Sequence, residues 1–361
     1  MRFAEARSLT ARGRSPRRGP APKARGRQPR ALVATVAGLA VVSLATACQG
    51  GGSANGQPTV SGTITVAAIR GIDTTPLYIA HQDGAFAHAG LRVKVISYSS
   101  VAAEFQALIK GHVDIASGDY VDFFALAAKS AHPYLSIVAD AYHAGPGVME
   151  VLTYPGSGIT TPQQLADRTI ATPAGSGIIP QSGSKPYSLE TLATQSVLTS
   201  DGVNPDQVTW RPMPASSLIT ELAEHKVSAI LVDEPEIFKA ESTLGAYAVL
   251  DSCSGATANL PLSGYFALSA FANQRPAALA AFRRVLLQAQ KAAVLPGPVR
   301  AELASSGMDM QTASLVTIGS YPTSLDAASL QRVADLMFNF EILDKAINVS
   351  GMIAGAGKKS G

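Results

Sequence analysis

Acids, hydroxyls and small residues recur in this chain where a predicted strand gives way to a loop. After a first strand, Thr63–Ile69, come Arg70, Asp73 and Thr74, and after a second, Leu91–Ile96, come Tyr98, Ser99 and Ser100. Asp119-Tyr120 and Asp233-Glu234 close two further strands, and Gly175-Ser176-Gly177 follows a strand at Thr169–Thr172. These residue types suit noncovalent capture of a small molecule. A carboxylate at Asp73, Asp119, Asp233 or Glu234 can grip an amine or ring N–H, or hydrogen-bond its own loop. The hydroxyls of Ser99 and Ser100 beside a helix start, and the backbone N–H groups of Gly175–Gly177, suit an anion. The same serines can instead cap their own helix, and the glycines can simply make a flexible loop. Arg70 and Arg211 can pair with a sulfonate or carboxylate ligand, or with a neighbouring acid. Tyr120 and Tyr142 are the leading candidates to cover a flat or alkyl ligand body, with Tyr98 and Tyr187 near the same mouth and Trp210 read as core.

Catalytic patterns are poorly supported. The sequence holds no His-Glu-x-x-His, Cys-x-x-Cys or Gly-x-Ser-x-Gly, and its six histidines are scattered singly, so neither a metal nor a cofactor is implied. Ser182-Gly183-Ser184-Lys185 matches the Ser-x-x-Lys of penicillin-recognising enzymes, but sits in a Gly/Pro loop without the context that motif requires.

The elements that would position these residues repeat. Leu108–Asp119 and Leu222–Asp233 share one grammar: an apolar helical stripe (Phe105, Leu108, Ile109; then Leu218, Ile219, Leu222), a short polar break, and a mostly apolar run ending in Asp. That is a helix, a tight turn and a strand buried on both faces, as in a parallel sheet. Ligands of such sheets bind outside the carboxyl ends of strands, so two copies imply two α/β lobes facing one site. Strands and helices alternate along most of the remaining chain, with Asp326–Leu343 presenting Leu330, Val333, Met337 and Phe340 as core residues.

The N-terminus predicts export. Residues 1–30 contain nine Arg, Lys23 and one acid, Glu5, while the seventeen residues 31–47 carry no charge. A basic segment, a short apolar core and small residues form a secretory signal, and the apolar core falls short of the roughly 20 residues of a spanning helix. Leu44-Ala45-Thr46-Ala47-Cys48 resembles a bacterial lipobox, although Leu44 lies one position further from Cys48 than usual; ordinary cleavage is the alternative. A Gly/Ser-rich tether follows, 48–61. Without the leader, 19 basic residues face 25 acidic ones, a formal −6, which removes the charge argument for nucleic-acid binding. Beyond Cys48 the mature chain has only Cys253, and hence no internal disulfide framework.

The chain resembles the bacterial ABC-transporter solute-binding proteins for alkanesulfonates, taurine, nitrate and thiamine-pyrimidine precursors. The resemblance is carried by Pro76-Leu77-Tyr78-Ile79-Ala80, Gly84-Ala85-Phe86, Gly90-Leu91-Arg92-Val93, Ala107–Ala116, Ser157-Gly158-Ile159, Leu165-Ala166-Asp167 and Val232-Asp233-Glu234-Pro235. It departs from the family at His225-Lys226-Val227-Ser228, where Gly and Asp are common, and in a longer loop at 177–187. The resemblance implies a two-lobed periplasmic-binding-protein-like fold (type II), each lobe a mostly parallel sheet flanked by helices. The expected lobes are 62–150 with 264–361, and 151–263, hinged near Glu150–Thr153 and Pro261–Gly264. It further implies a monomeric, lipid-anchored protein on the outer face of the cytoplasmic membrane. Such a protein passes a small organic solute, with a planar or amine-bearing part, to an ABC permease; partnership with a membrane receptor or kinase is the alternative. A fungal relative of this fold makes the thiamine pyrimidine with a Cys-rich iron motif, which Cys253 alone cannot supply.

Overall fold

The structure, a computed structural model, describes residues 62–129, 134–179 and 187–355. The leader, Cys48, the tether and Ser182–Lys185 lie outside the described residues. Among the described residues ten strands are formed: β1 Thr63–Ala67, β2 Arg92–Ile96, β3 Ile115–Asp119, β4 Leu135–His143, β5 Met149–Thr153, β6 Thr169–Pro173, β7 Thr209–Met213, β8 Ala229–Asp233, β9 Tyr247–Asp251 and β10 Pro261–Leu268. They make two sheets of the same design, β2-β1-β3-β10-β4 and β7-β6-β8-β5-β9. In the first, β1 pairs in parallel with β2 and β3; in the second, β6 pairs in parallel with β7 and β8. One strand in each, β10 or β5, runs antiparallel to both neighbours. That strand is the one the chain brings across from the other sheet. The result is a two-lobed α/β molecule.

The repeated units occupy matching places. Helix Val101–Ile109 buries Phe105 and Leu108 and leads into β3; helix Ala215–Ala223 buries Leu218 and Leu222 and leads into β8. Both turns need a left-handed residue, Gly111 (φ 71°) in the first and His225 (φ 55°) in the second. That conformation costs a residue with a Cβ about 1 kcal/mol or more. The His225 ring stacks on Tyr154, with centroids 4.0 Å apart and planes 14° apart, a contact that offsets part of the cost. The family's Asp survives as Asp114, whose Oδ2 accepts the Thr65 N–H at 2.7 Å. Ser228 has no carboxylate; its N–H donates to the Thr169 carbonyl and its own carbonyl accepts the Thr153 hydroxyl at 2.7 Å.

The chain passes between sheets at 144–148 and 252–260. The segments expected to hinge, Glu150–Thr153 and Pro261–Gly264, are instead laddered into the sheets: Glu150 pairs with Val232 and Asp251, Ser263 with Asp119 and Tyr142. Paired backbone resists the φ/ψ change a hinge must absorb, whereas the loops beside it do not. Among the described residues no helix is long and apolar enough to cross a membrane.

Candidate functional site

A cavity of about 500 Å³ opens between the lobes, at the carboxyl ends of β1, β3 and β8. The loop after β1 is shaped by Thr74, which is buried. Its hydroxyl donates to the Ile69 carbonyl at 2.6 Å and accepts the Gly71 N–H at 3.1 Å, so it braces the loop and presents Asp73 to the cavity. Arg70 lines the same wall, but its guanidinium is held 2.6 Å from Glu302 and lies 4.1 Å over the Tyr78 ring. Asp119 caps helix Tyr120–Ala128, accepting the Asp122 N–H at 2.8 Å. Gly118 lets helix and strand approach, since a Cβ there would lie 2.7 Å from the Phe105 ring. The second lobe contributes Glu190, in the first turn of helix Leu189–Ser200, with Asp233 and Glu234 after β8. Both Glu234 oxygens are used: Oε1 accepts the Thr317 N–H at 2.8 Å and Oε2 the Phe238 N–H at 3.2 Å.

Glu104 was not among the residues predicted from the sequence. It lies on helix Val101–Ile109, is fully buried and lines the cavity. Its Oε2 accepts the Ser117 hydroxyl at 3.0 Å, while Oε1 has no partner. Among the described residues six carboxylates therefore line the cavity, Asp73, Glu104, Asp119, Glu190, Asp233 and Glu234, against one already paired cation, Arg70.

Burial in this partly enclosed space, with like charge second, shows in the acidities of Asp73, Glu104, Asp119 and Asp233. Burial pushes the Glu104 carboxyl up to about 8, with Asp73 adding repulsion and the Ser117 hydroxyl opposing the rise. Asp233 reaches about 8, chiefly by burial, then by repulsion from Glu190 and Glu236. Water still reaches Asp233 in the open cleft, which screens that effect relative to the sealed Glu104. Asp73 is raised by burial and lowered by Ser263 beside it; Asp119 is raised by burial and by Asp122.

Several predicted site residues fall elsewhere. Tyr120 is fully buried among Phe124 and Phe266 and donates to Asp140 at 3.0 Å, because the first residue of its helix points into the core and not to the rim. Ser99 and Ser100 are exposed beyond β2, an edge strand, and Ser100 Oγ accepts the Ala103 N–H of its own helix at 3.2 Å. Arg211, on the other edge strand β7, lies 3.3 Å from Glu221. Trp210 is core, as expected; Tyr98 and Tyr187 are half-buried against the core and do not line the cavity. Tyr142 does line it, as its one aromatic ring, with its hydroxyl accepting the Gly319 N–H. Gly175 and Ser176 line an adjoining recess of about 230 Å³ that shares Asp119 and Glu190 with the main cavity; Gly177 lines neither. Ser176 Oγ donates across the cleft to Asp122 Oδ1 at 2.7 Å. Asp73, Asp119, Asp233 and Glu234 thus face one space together with the Thr74, Ser117 and Ser263 hydroxyls, and Ser99 and Ser100 do not join them.

Solved structures share this fold. The periplasmic aliphatic sulphonate binding protein SsuA from Escherichia coli aligns with a TM-score of 0.65 at 17% identity, over 81% of this chain and 97% of its own. The periplasmic nitrate-binding protein NrtA from Synechocystis PCC 6803 aligns at 0.61 and 14%, over 80% and 84%. The desulfurization enzyme DSZB aligns at 0.58 and 16%, over 81% and 96%. Comparison with curated protein sequences returned no match. The chain is therefore a periplasmic-binding-protein-like α/β protein by fold, and with a family model matching residues 57–306 it belongs to the NMT1-like family.

Proposed function

We propose that this protein is an exported solute-binding protein that captures a small organic molecule bearing an ammonium group and delivers it to an ABC import permease. The observation that carries the ligand class is the set of six carboxylates around the cavity, where among the described residues the one lining cation, Arg70, is already paired with Glu302. A sulfonate or nitrate entering there would find no free positive charge to hold it, whereas an ammonium would draw the raised acids into their ionised forms and pair with them. Transport is supported by the two-lobed fold, by the sulphonate- and nitrate-binding proteins that share it, and by the basic leader ahead of Cys48. The desulfurization enzyme on this fold shows that architecture alone does not decide against catalysis.

A thermal-shift screen of amines, cationic heterocycles, sulfonates, pyrimidines and nitrate tests the ligand class. A matching amine at 100 times its Kd will add about 2.7 kcal/mol of stability, and sulfonates and nitrate will add none. Stabilisation by a sulfonate with none by any amine would refute the reading. The anchor is proposed at Cys48, lipidated after cleavage. Wild-type protein will fractionate with membranes and Cys48→Ala with the medium; identical partitioning would rule lipidation out.

A further inference from the structure

We propose that the solute is a linear aliphatic dication that places one ammonium group on each lobe. This rests on the amine reading above and sharpens it. The acids fall into two sets across the cleft. Asp73 and Glu104 belong to the first lobe, with the Ser117 hydroxyl beside Glu104; Glu190 and Asp233 belong to the second, and Asp119 faces Glu190 from the first. Independently of the charge count, the Glu104 side chain is fully buried, lines the cavity and leaves Oε1 without a partner, an acceptor awaiting a donor. A single ammonium pairs with the acids of one lobe, and a second gives the acids of the other a cation of their own.

The space between the sets is aliphatic. Ile72, Leu189, Met149 and Leu262 line it, and Tyr142, whose hydroxyl is committed to Gly319, is the one aromatic ring. Nothing there offers paired faces for stacking a planar ligand, whereas a methylene chain fits such a wall. A metal ion is a poorer occupant, because among the described residues no group of acids, histidines or cysteines converges closely enough to ligate one. The arrangement also favours closure on a dication. Positive charge between the lobes favours the ionised forms of acids that burial otherwise keeps protonated. A ligand cationic at both ends does so on both lobes at once, so it binds the closed state selectively.

Calorimetric titration of the purified protein with α,ω-diamines of three to eight carbons, matched monoamines and matched alkanesulfonates will test this. At the best chain length, the diamine will bind roughly 10- to 100-fold tighter than its monoamine, the range expected for one added charge-assisted contact. Asp233→Asn will reduce the diamine to monoamine affinity. A monoamine that matches its diamine at every length would overturn the dication while leaving the amine reading intact. Binding of sulfonates alone would overturn both. Failure of every diamine to bind, with the protein shown to be folded by its melting transition, would also reject the dication.

Discussion

Replacing Glu104 by Gln will stabilise the ligand-free protein at pH 8 and sharply weaken its affinity for cations. Glu104 is a fully buried carboxyl whose acidity is pushed from 4.5 to about 8, first by desolvation and then by Asp73, with Ser117 partly opposing. In the unfolded chain the same group ionises near 4.5. Between those values the folded state holds a proton that the unfolded state has released, so stability is greatest at low pH and falls as pH rises toward 8. Above 8 the folded protein carries a buried charge with one oxygen unpaired. Glutamine removes that charge and keeps an oxygen to accept the Ser117 hydroxyl, although its amide group must then find an acceptor. The net gain should be roughly 2–3 kcal/mol, less than the full shift implies because of that amide. For a chain of this size that raises Tm by about 5 °C. Calorimetric melting at pH 8 checks the first half and amine titration the second. A variant that melts lower and binds amines unchanged would show Glu104 to be a structural acid with no part in the site. A residue kept at a cost to the empty protein, and needed by the filled one, is what a binding site produces.

The frame that holds this site was legible in the sequence, and its innermost member was not. The repeat at Leu108–Asp119 and Leu222–Asp233 announces itself because helix period, turn and buried strand follow one another within a dozen residues, and both copies deliver their Asp to the cleft. The turn was legible even where its residues departed from the family, since His225 takes the conformation Gly111 takes. Glu104 was hidden by its setting. On an amphipathic helix one acid beside Gln106 reads as part of the solvated face, and only packing of that helix over β3 turns it inward against Ser117. Glu190 was hidden likewise, as an ordinary acid in a helix's first turn. The opposite error placed Ser99, Ser100 and Arg211 at the site. Each follows or lies in a strand with the right pattern, but β2 and β7 are edge strands, and lateral order in a sheet is a long-range property. Tyr120 failed for a local reason: adjacency to Asp119 suggested the rim, yet the capping acid and the first helical residue point in different directions.

The affinity for an amine ligand will fall about tenfold per pH unit below 8, the reverse of the stability of the empty protein. An ammonium needs an ionised partner, and Glu104 is protonated in the empty protein below about 8, so binding must expel its proton. Asp233 pushes in the same direction, with a smaller effect because water reaches it. Asp73 faces both groups, Glu190 and Glu236 face Asp233, and each adds repulsion that a bound cation relieves. Glu150, raised to about 7 by burial and by Asp251, also titrates in this range, but it lies on β5 and does not line the cavity. Its titration alters the stability of the empty protein without altering contact with a ligand. Titration in buffers of differing ionisation enthalpy will therefore register release of close to one proton at pH 7, and Glu104→Gln will flatten the pH slope. Affinity that is constant from pH 6 to 8, or that strengthens on acidification, would mean that the ligand does not use the ionised carboxylate. The opposed slopes separate this outcome from acid unfolding, which would weaken binding and stability together. For the exported protein proposed above, the same linkage makes capture sensitive to the acidity outside the cell, with ligand held near neutrality and released as the surroundings acidify.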